Sequence, residues 1–246
     1  MLCAGTFVDV GANVGDTLTS WYSEPSCALG FRKMRPNGFQ CDWRWPWWLP
    51  LHVRRQWCAE AFEANPRFTN RLLRTKEHLE ERHGIRINVH AHTALSTKNG
   101  SAAFGIDTLF GTGSSLQLHR HALNAKLIKG AGARVGDHTT TVHTVDATPF
   151  LDAVGRRGDG PIALKLDVEG SEYNILRDLL MSGVLCRYVE NLWVEFHPTR
   201  DATAGTPASV DEVFKWMLQT HNESTQTHAW LPYKSARCAT TLLEWS

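Results

Sequence analysis

Thr6-Phe-Val-Asp-Val-Gly-Ala-Asn-Val-Gly-Asp-Thr17 is a short apolar run that breaks into glycines and restarts with helix-forming residues. Residues 6–10 read as a buried strand, and Gly11 to Gly15 as a turn. Asp16 and Thr17 open a helix that reaches about Tyr22. The same grammar recurs downstream. Cys58 to Glu63 reads as a second strand and Pro66 to His83 as a helix, with Phe68, Leu72, Leu73 and Leu79 near helical spacing. Gly84 stands where a left-handed cap is wanted. Ile85 to Ala91 alternates as a third strand. Ser101 to Ile106 and Thr139 to Val145 read as paired strands around a Gly/Ser-rich segment. A helix over Asp146 to Val154 follows, with Leu151 and Val154 inward. Then come a strand over Pro161 to Asp167, a helix from Ser171 to Met181 ending at Gly183, and a strand over Val189 to Phe196. Val210 to Gln219 reads as a helix, and His228 to Tyr233 and Cys238 to Trp245 as two last strands. Strands alternating with helices predict an α/β fold, a mostly parallel sheet covered on both faces with an antiparallel edge.

The remaining sequence bounds the answer. The 246 residues suit one large domain that needs no disulfide or metal staple. Lys and Arg number 26 against 25 Asp and Glu, so a net charge of +1 gives no basis for nucleic-acid binding through global charge. No run approaches the length of a membrane-spanning helix. The first strand begins almost at the N-terminus, which leaves no room for a signal peptide and predicts a cytoplasmic protein. Cys3, Cys27, Cys41, Cys58, Cys186 and Cys238 form no CxxC framework, and free thiols are expected.

Ligands of open α/β sheets bind at the carboxyl ends of strands. Four such ends carry polar residues here: Asp9 with the glycine turn, Glu63, Asp167 with Glu169 and Glu172, and Glu195 with His197. Gly11 to Gly15 is G-x-x-x-G, which is neither the G-x-G-x-x-G of a dinucleotide fold nor a P-loop. Its glycines would let the backbone approach a ligand closely. Glu63, ending the second strand, occupies the position that grips ribose hydroxyls, so a nucleoside-containing ligand is expected. Lys165 is a charge inside an apolar strand, on the same face as Asp167, and pairing with Asp167 or Glu195 is expected. His90/His92 and His119/His121 read as surface or pocket-wall residues.

Phe7-Val-Asp-Val-Gly-Ala-Asn-Val-Gly-Asp-Thr17, Ala61-Phe-Glu-Ala-Asn-Pro66, Leu164-Lys-Leu-Asp-Val-Glu-Gly-Ser-Glu-Tyr173 and Leu192-Trp-Val-Glu-Phe-His-Pro198 resemble the four sequence blocks of the FkbM family. That family comprises class I S-adenosylmethionine-dependent methyltransferases. The resemblance implies a Rossmann-like, seven-stranded sheet with a reversed last strand, and O-methyl transfer to a hydroxyl of a small molecule or carbohydrate. It also implies cofactor contacts. The turn with Gly11, Asn13 and Gly15 would cradle the methionine portion, with Asp9 beneath it. Glu63 would hold the ribose, and Asp167 would face the methionine end and the acceptor.

Transfer to a weakly acidic hydroxyl gains from a general base. His197 is the first candidate and Asp167 the second, with Lys165 and Glu195 beside them. Asp167, Glu169, Glu195 and His197 could alternatively hold a divalent cation, although no ligand spacing demands one. The alternatives are a NAD-type oxidoreductase, disfavoured by the glycine spacing, and a degenerate domain without catalysis.

Two stretches depart from a compact frame. Six of the ten tryptophans fall in residues 21–57, and about 24–57 reads as an insertion without period that could be excised from Cys27 to Arg55. Residues about 96–145 read as a variable β insertion that shapes the acceptor pocket. Ala64 replaces the proline usual after Glu63 in the family.

Overall fold

The computed structural model describes residues 3–23, 34–35, 38–39, 49–106, 114, 116 and 139–195. The predicted helix over Val210 to Gln219 and the two tail strands lie outside the described residues. The first strand, β1 (Thr6–Val10), is buried at every position. It pairs in parallel with β4 (Cys58–Glu63) on one side and β9 (Ile162–Leu166) on the other. β5 (Ile87–Ala91) extends the sheet beyond β4, and β10 (Val189–Val194) extends it beyond β9, giving the order β10-β9-β1-β4-β5. The chain thus moves outward from β1 in one direction and then crosses to the other side. The switch in strand order falls between β1 and β9, where an open parallel sheet leaves a crevice at its carboxyl ends.

Side chains alternate across the sheet and divide the core in two. Val8, Val10, Leu164, Leu166 and Leu192 pack under α4 (Ala147–Arg156), α5 (Glu172–Met181) and α6 (Val184–Tyr188). Phe7, Ala61, Ala163 and Trp193 face the opposite layer, built from α1 (Asp16–Tyr22), α2 (Leu51–Arg54) and α3 (Thr69–His83). Trp21 of α1 anchors this layer. Its ring stacks on Phe7 at 4.3 Å and meets the edges of Trp57 at 5.5 Å and Trp193 at 6.2 Å. As expected, Gly84 closes α3 in the left-handed conformation, donating to Glu80 O at 2.8 Å. Leu72 and Leu79 are buried, whereas Leu73 faces solvent.

A second sheet carries the middle of the chain. β7 (Gly100–Gly105) pairs antiparallel with β8 (Thr139–Asp146), as the sequence predicts, and β6 (Thr93–Ser96) adds a parallel strand that it does not. His92 takes a left-handed φ of 54° between β5 and β6, so the chain turns out of the main sheet there without a glycine to mark it. Two-residue strands β2 (Met34–Arg35) and β3 (Gly38–Phe39) pair with each other.

Two expectations need correction. Cys3 and Cys58 are joined in a disulfide with Cα atoms 5.6 Å apart, and Cys186 is disulfide-bonded as well, so these three are not free thiols. Parallel pairing of β1 with β4 sets Cys3 beside Cys58 across 55 residues of chain, a proximity that linear spacing does not reveal.

The end of the tryptophan-rich stretch is core, not a detachable excursion. Leu49 and Trp57 are buried in the α1 layer. Arg54, buried under the same layer, donates to Leu49 O at 2.9 Å, Ser20 O at 3.1 Å and Trp21 O at 2.6 Å. Arg55 reaches Tyr22 O at 3.0 Å. The two arginines thereby satisfy the carbonyls that α1 leaves open at its C-terminus. Burial lowers the Arg54 pKa to about 10, helped by the neighbouring Arg55 charge, yet the side chain stays a cation at neutral pH. An excision reaching Arg55 would remove this cap. Arg54→Met is expected to cost about 2–4 kcal/mol, since it strands buried carbonyls. Urea unfolding monitored by tryptophan fluorescence checks this, and a loss below about 1 kcal/mol would return the segment to the status of an insertion.

Candidate active site

The turn after β1 is held in place from three sides. Gly11 (φ 79°), Asn13 (φ 52°) and Gly15 (φ 86°) are all left-handed, a conformation cheap for glycine and tolerable for asparagine. The Gly11 and Ala12 N–H groups donate to Phe62 O at 3.1 and 3.0 Å. The protein's own packing already requires glycine at two of these positions. A Cβ on Gly11 would stand 1.9 Å from the Asp167 carbonyl oxygen, and one on Gly15 would stand 2.6 Å from Thr75 Cγ2 on α3. Both positions are set by the protein's own packing. Thr75 also ties α3 to the turn through its hydroxyl, which donates to Val14 O at 2.8 Å.

Glu63 clamps this turn from the neighbouring strand. Its Oε2 accepts the Asn13 N–H at 2.6 Å and its Oε1 the Asn65 N–H at 2.6 Å. Burial raises its pKa to about 7, against the opposing pull of these two amides and of Lys165. A carboxylate offers about four lone-pair sites, so each oxygen keeps capacity for a further donor.

Asp9 and Lys165 are direct register partners on β1 and β9. Both are buried, and Lys165 Nζ lies 3.3 Å from Asp9 Oδ1 and 3.3 Å from Asp167 Oδ2. It donates to Gly11 O at 2.7 Å, which links the ion pair to the glycine turn. The expected pairing with Asp167 is therefore present, and Asp9 is a partner the sequence did not name. Neither Asp9 oxygen has a hydrogen bond among the described residues. Burial raises the Asp9 pKa to about 6 despite the Lys165 charge. Asp16, in the first turn of α1, is raised for the same reason. Burial opposes the Lys165 charge, but Asp9, Asp167 and Asp16 outweigh it and lift its pKa above the usual lysine value. Between about pH 4 and pH 6 the folded chain holds a proton on Asp9 that the unfolded chain has released, so ionising Asp9 costs stability as pH rises through that window.

The loop after β9 is built by Glu172. Its buried carboxylate collects the Gly170 N–H at 2.9 Å and the Val168 N–H at 3.2 Å, while Glu169 takes a left-handed φ of 56°. Glu172, grouped with the polar strand ends in the sequence, thus shapes the loop from within. Asp167 is left half-buried at the rim, and its N–H donates to Val10 O at 3.1 Å. Glu195 follows β10, with its N–H bonded to Leu166 O at 3.0 Å, at the same end of the sheet. His197, His119 and His121 lie outside the described residues.

His90 is part-buried and held by its neighbours on the sheet. It faces Glu60 at 2.9 Å and stacks on Phe62 at 4.1 Å, in a cluster completed by Asn88 and Arg157. No group of three or more metal-ligating side chains occurs among the described residues. No described helix is long and apolar enough to cross a membrane.

The family model of the methyltransferase FkbM domain matches residues 9–224. The chain belongs to this family. It is a methyltransferase domain with a Rossmann-like α/β sheet, and the matched span includes the glycine turn, Glu63, Lys165 and Asp167. No curated protein and no solved structure matches it.

Proposed function

We propose that this FkbM domain transfers a methyl group from S-adenosylmethionine to a hydroxyl of a small molecule or glycan. The observation that carries the reading is the charge balance at the strand switch. Asp9, Asp16 and Asp167 all act on the buried cation Lys165, and burial holds Asp9 and Asp16 above their ordinary pKa. Among the described residues three carboxylates thus meet one cation there, and a sulfonium with a neighbouring ammonium would balance them. The donor set therefore fits the cofactor implied by the family.

Bound S-adenosylmethionine would provide the electrophilic methyl group, so the chain's task is to hold and deprotonate the acceptor. The turn over Gly11, Asn13 and Gly15 would receive the methionine end, above Asp9. The remaining lone pairs of Glu63 would accept the ribose hydroxyls. Lys165 fixes Asp167 and the Gly11 carbonyl relative to one another, and Asp167 at the rim would face the acceptor. His197, two residues beyond Glu195, would take the acceptor proton, with Asp167 as the second candidate. Alignment of the hydroxyl with the methyl group would supply much of the rate.

Calorimetry with S-adenosylmethionine, S-adenosylhomocysteine and NAD tests this reading. The two S-adenosyl ligands are expected to bind and NAD is not. A carboxyl of pKa about 6 is about a quarter ionised at pH 5.5 and almost wholly ionised at pH 7.5. Affinity for the sulfonium ligand should therefore rise about fourfold over that range, and affinity for uncharged-sulfur S-adenosylhomocysteine should rise less. Binding of NAD alone would replace this function with an oxidoreductase, and binding of none of the three would leave a domain without catalysis.

A further inference from the structure

Asn65, in the turn between β4 and α3, is 1% exposed and has four polar groups in use. Its N–H donates to Glu63 Oε1 at 2.6 Å, and its carbonyl accepts the Phe68 N–H at 3.1 Å. Its Oδ1 accepts the Arg67 N–H at 3.1 Å, which is an ordinary device for closing a turn. The turn needs nothing more. The side-chain amide nevertheless donates from Nδ2 to Ser114 Oγ at 3.1 Å, 49 residues away between β7 and β8. Beside this bond, Leu116 and Ile106 pack with Ala64 on the small core of Ala94, Phe104 and Val142.

The other oxygen of Glu63 holds the Asn13 N–H of the glycine turn. Three hydrogen bonds therefore run without a gap from Asn13 through Glu63 and Asn65 to Ser114. Glu63 and Asn65, in the middle of this path, are buried, and a displaced partner there is not readily replaced by water.

We infer that Asn65 is a positioning residue that couples occupancy of Glu63 by a ribose diol to the placement of Ser114, an inference that rests on the S-adenosyl reading above. A ligand hydroxyl that draws on the Glu63 oxygens shifts the carboxylate on which Asn65 hangs. Ser114 in turn biases how Glu63 is presented. Such coupling is reciprocal, so removing the Ser114 hydroxyl must alter ligand affinity. Its consequence is that cofactor binding is felt between β7 and β8, in the stretch expected to shape the acceptor pocket.

Hydrogen exchange and calorimetry with S-adenosylhomocysteine, on the full chain, test the coupling. In the wild type the ligand should slow exchange at Ser114 and its neighbours. Ser114→Ala should abolish that slowing and weaken binding about two- to tenfold, the range of one hydrogen bond. Ser114→Thr, which keeps the hydroxyl, should restore both, whereas a merely structural serine would show no ligand-dependent change. Ser114→Ala is half-buried and removes one atom, so an unchanged melting temperature is expected as the folding control. If the wild type binds but exchange at Ser114 does not respond, or Ser114→Ala binds as tightly, the coupling is wrong and the cofactor reading stands. If the wild type does not bind, both fall.

Discussion

Lys165→Met is expected to cost about 3–5 kcal/mol at pH 7.5, the largest loss of any single side chain at the site. The lysine is buried in the middle of β9, and its ammonium serves Asp9, Asp167 and the Gly11 carbonyl. Methionine fills nearly the same volume, so the loss isolates charge from packing. It leaves Asp9 fully buried with no cation beside it and no hydrogen bond among the described residues. Asp9 would then answer by keeping its proton to higher pH. The penalty should therefore shrink as the pH is lowered to about 5.5, where protonation relieves the orphaned carboxylate. Asp9→Asn added to Lys165→Met should recover much of the stability at pH 7.5 through the same relief. Lys165→Arg should not rescue, because a planar guanidinium cannot occupy the compact position between the two carboxylates. Urea unfolding of the variants at the two pH values decides the matter. A loss below about 1 kcal/mol, or a double variant no better than the single, would show that the pair is not a buried ionic unit.

The parts of this fold that were legible in the sequence are those written in local pattern. β1 and β4 have the bounds expected of them, because parallel strands covered on both faces read as apolar runs between turn residues. The C-cap of α3 at Gly84 and the inward Leu151 and Val154 of α4 were equally visible. Lys165 announced itself as a charge in an apolar strand, but its second partner did not. Asp9 becomes its neighbour only when the strand order places β1 against β9, and strand order is not a local property. The same holds for the Cys3–Cys58 disulfide and for Arg54 under the end of α1. β6 and α6 leave no clear mark in the sequence, because each is four or five residues long and neither is bounded by distinct turn residues of its own. Gly183 follows α5 as a stop signal, and it also opens α6. Glu172 illustrates the opposite error. A carboxylate near a strand end looks like a ligand group, yet here it is 0% exposed and turned inward onto the Val168 and Gly170 N–H groups of its own loop. Burial and backbone accounting, not residue type, separate it from Asp167.

Gly11→Ala should be nearly as damaging as the loss of Lys165, for a reason that no neighbouring substitution can relieve. The backbone at Gly11 is left-handed with φ 79°, which alone costs an alanine about 1–2 kcal/mol. The new Cβ would also lie 1.9 Å from the Asp167 carbonyl oxygen, inside van der Waals contact with a main-chain atom. That carbonyl has little freedom to withdraw, since the Asp167 N–H is bonded to Val10 O at 3.1 Å. Gly11 has little either, with its N–H on Phe62 O at 3.1 Å and its carbonyl on Lys165 at 2.7 Å. The strain can be relieved only by parting β1 from β9 at the end where the site forms, so a total loss of about 3 kcal/mol or more is expected. Gly15→Ala provides the comparison. Its φ of 86° carries a similar backbone cost, but the Cβ meets Thr75 Cγ2 at 2.6 Å and Thr75 Cβ at 2.9 Å, which belong to a side chain. Thr75→Ser removes the Cγ2 methyl and keeps the hydroxyl bonded to Val14 O, so it should recover part of the Gly15→Ala loss and none of the Gly11→Ala loss. Urea unfolding of the four variants measures the order directly. If Gly15→Ala is the worse of the two glycine variants, or Thr75→Ser helps both equally, contact with the Asp167 carbonyl is not what requires glycine at position 11.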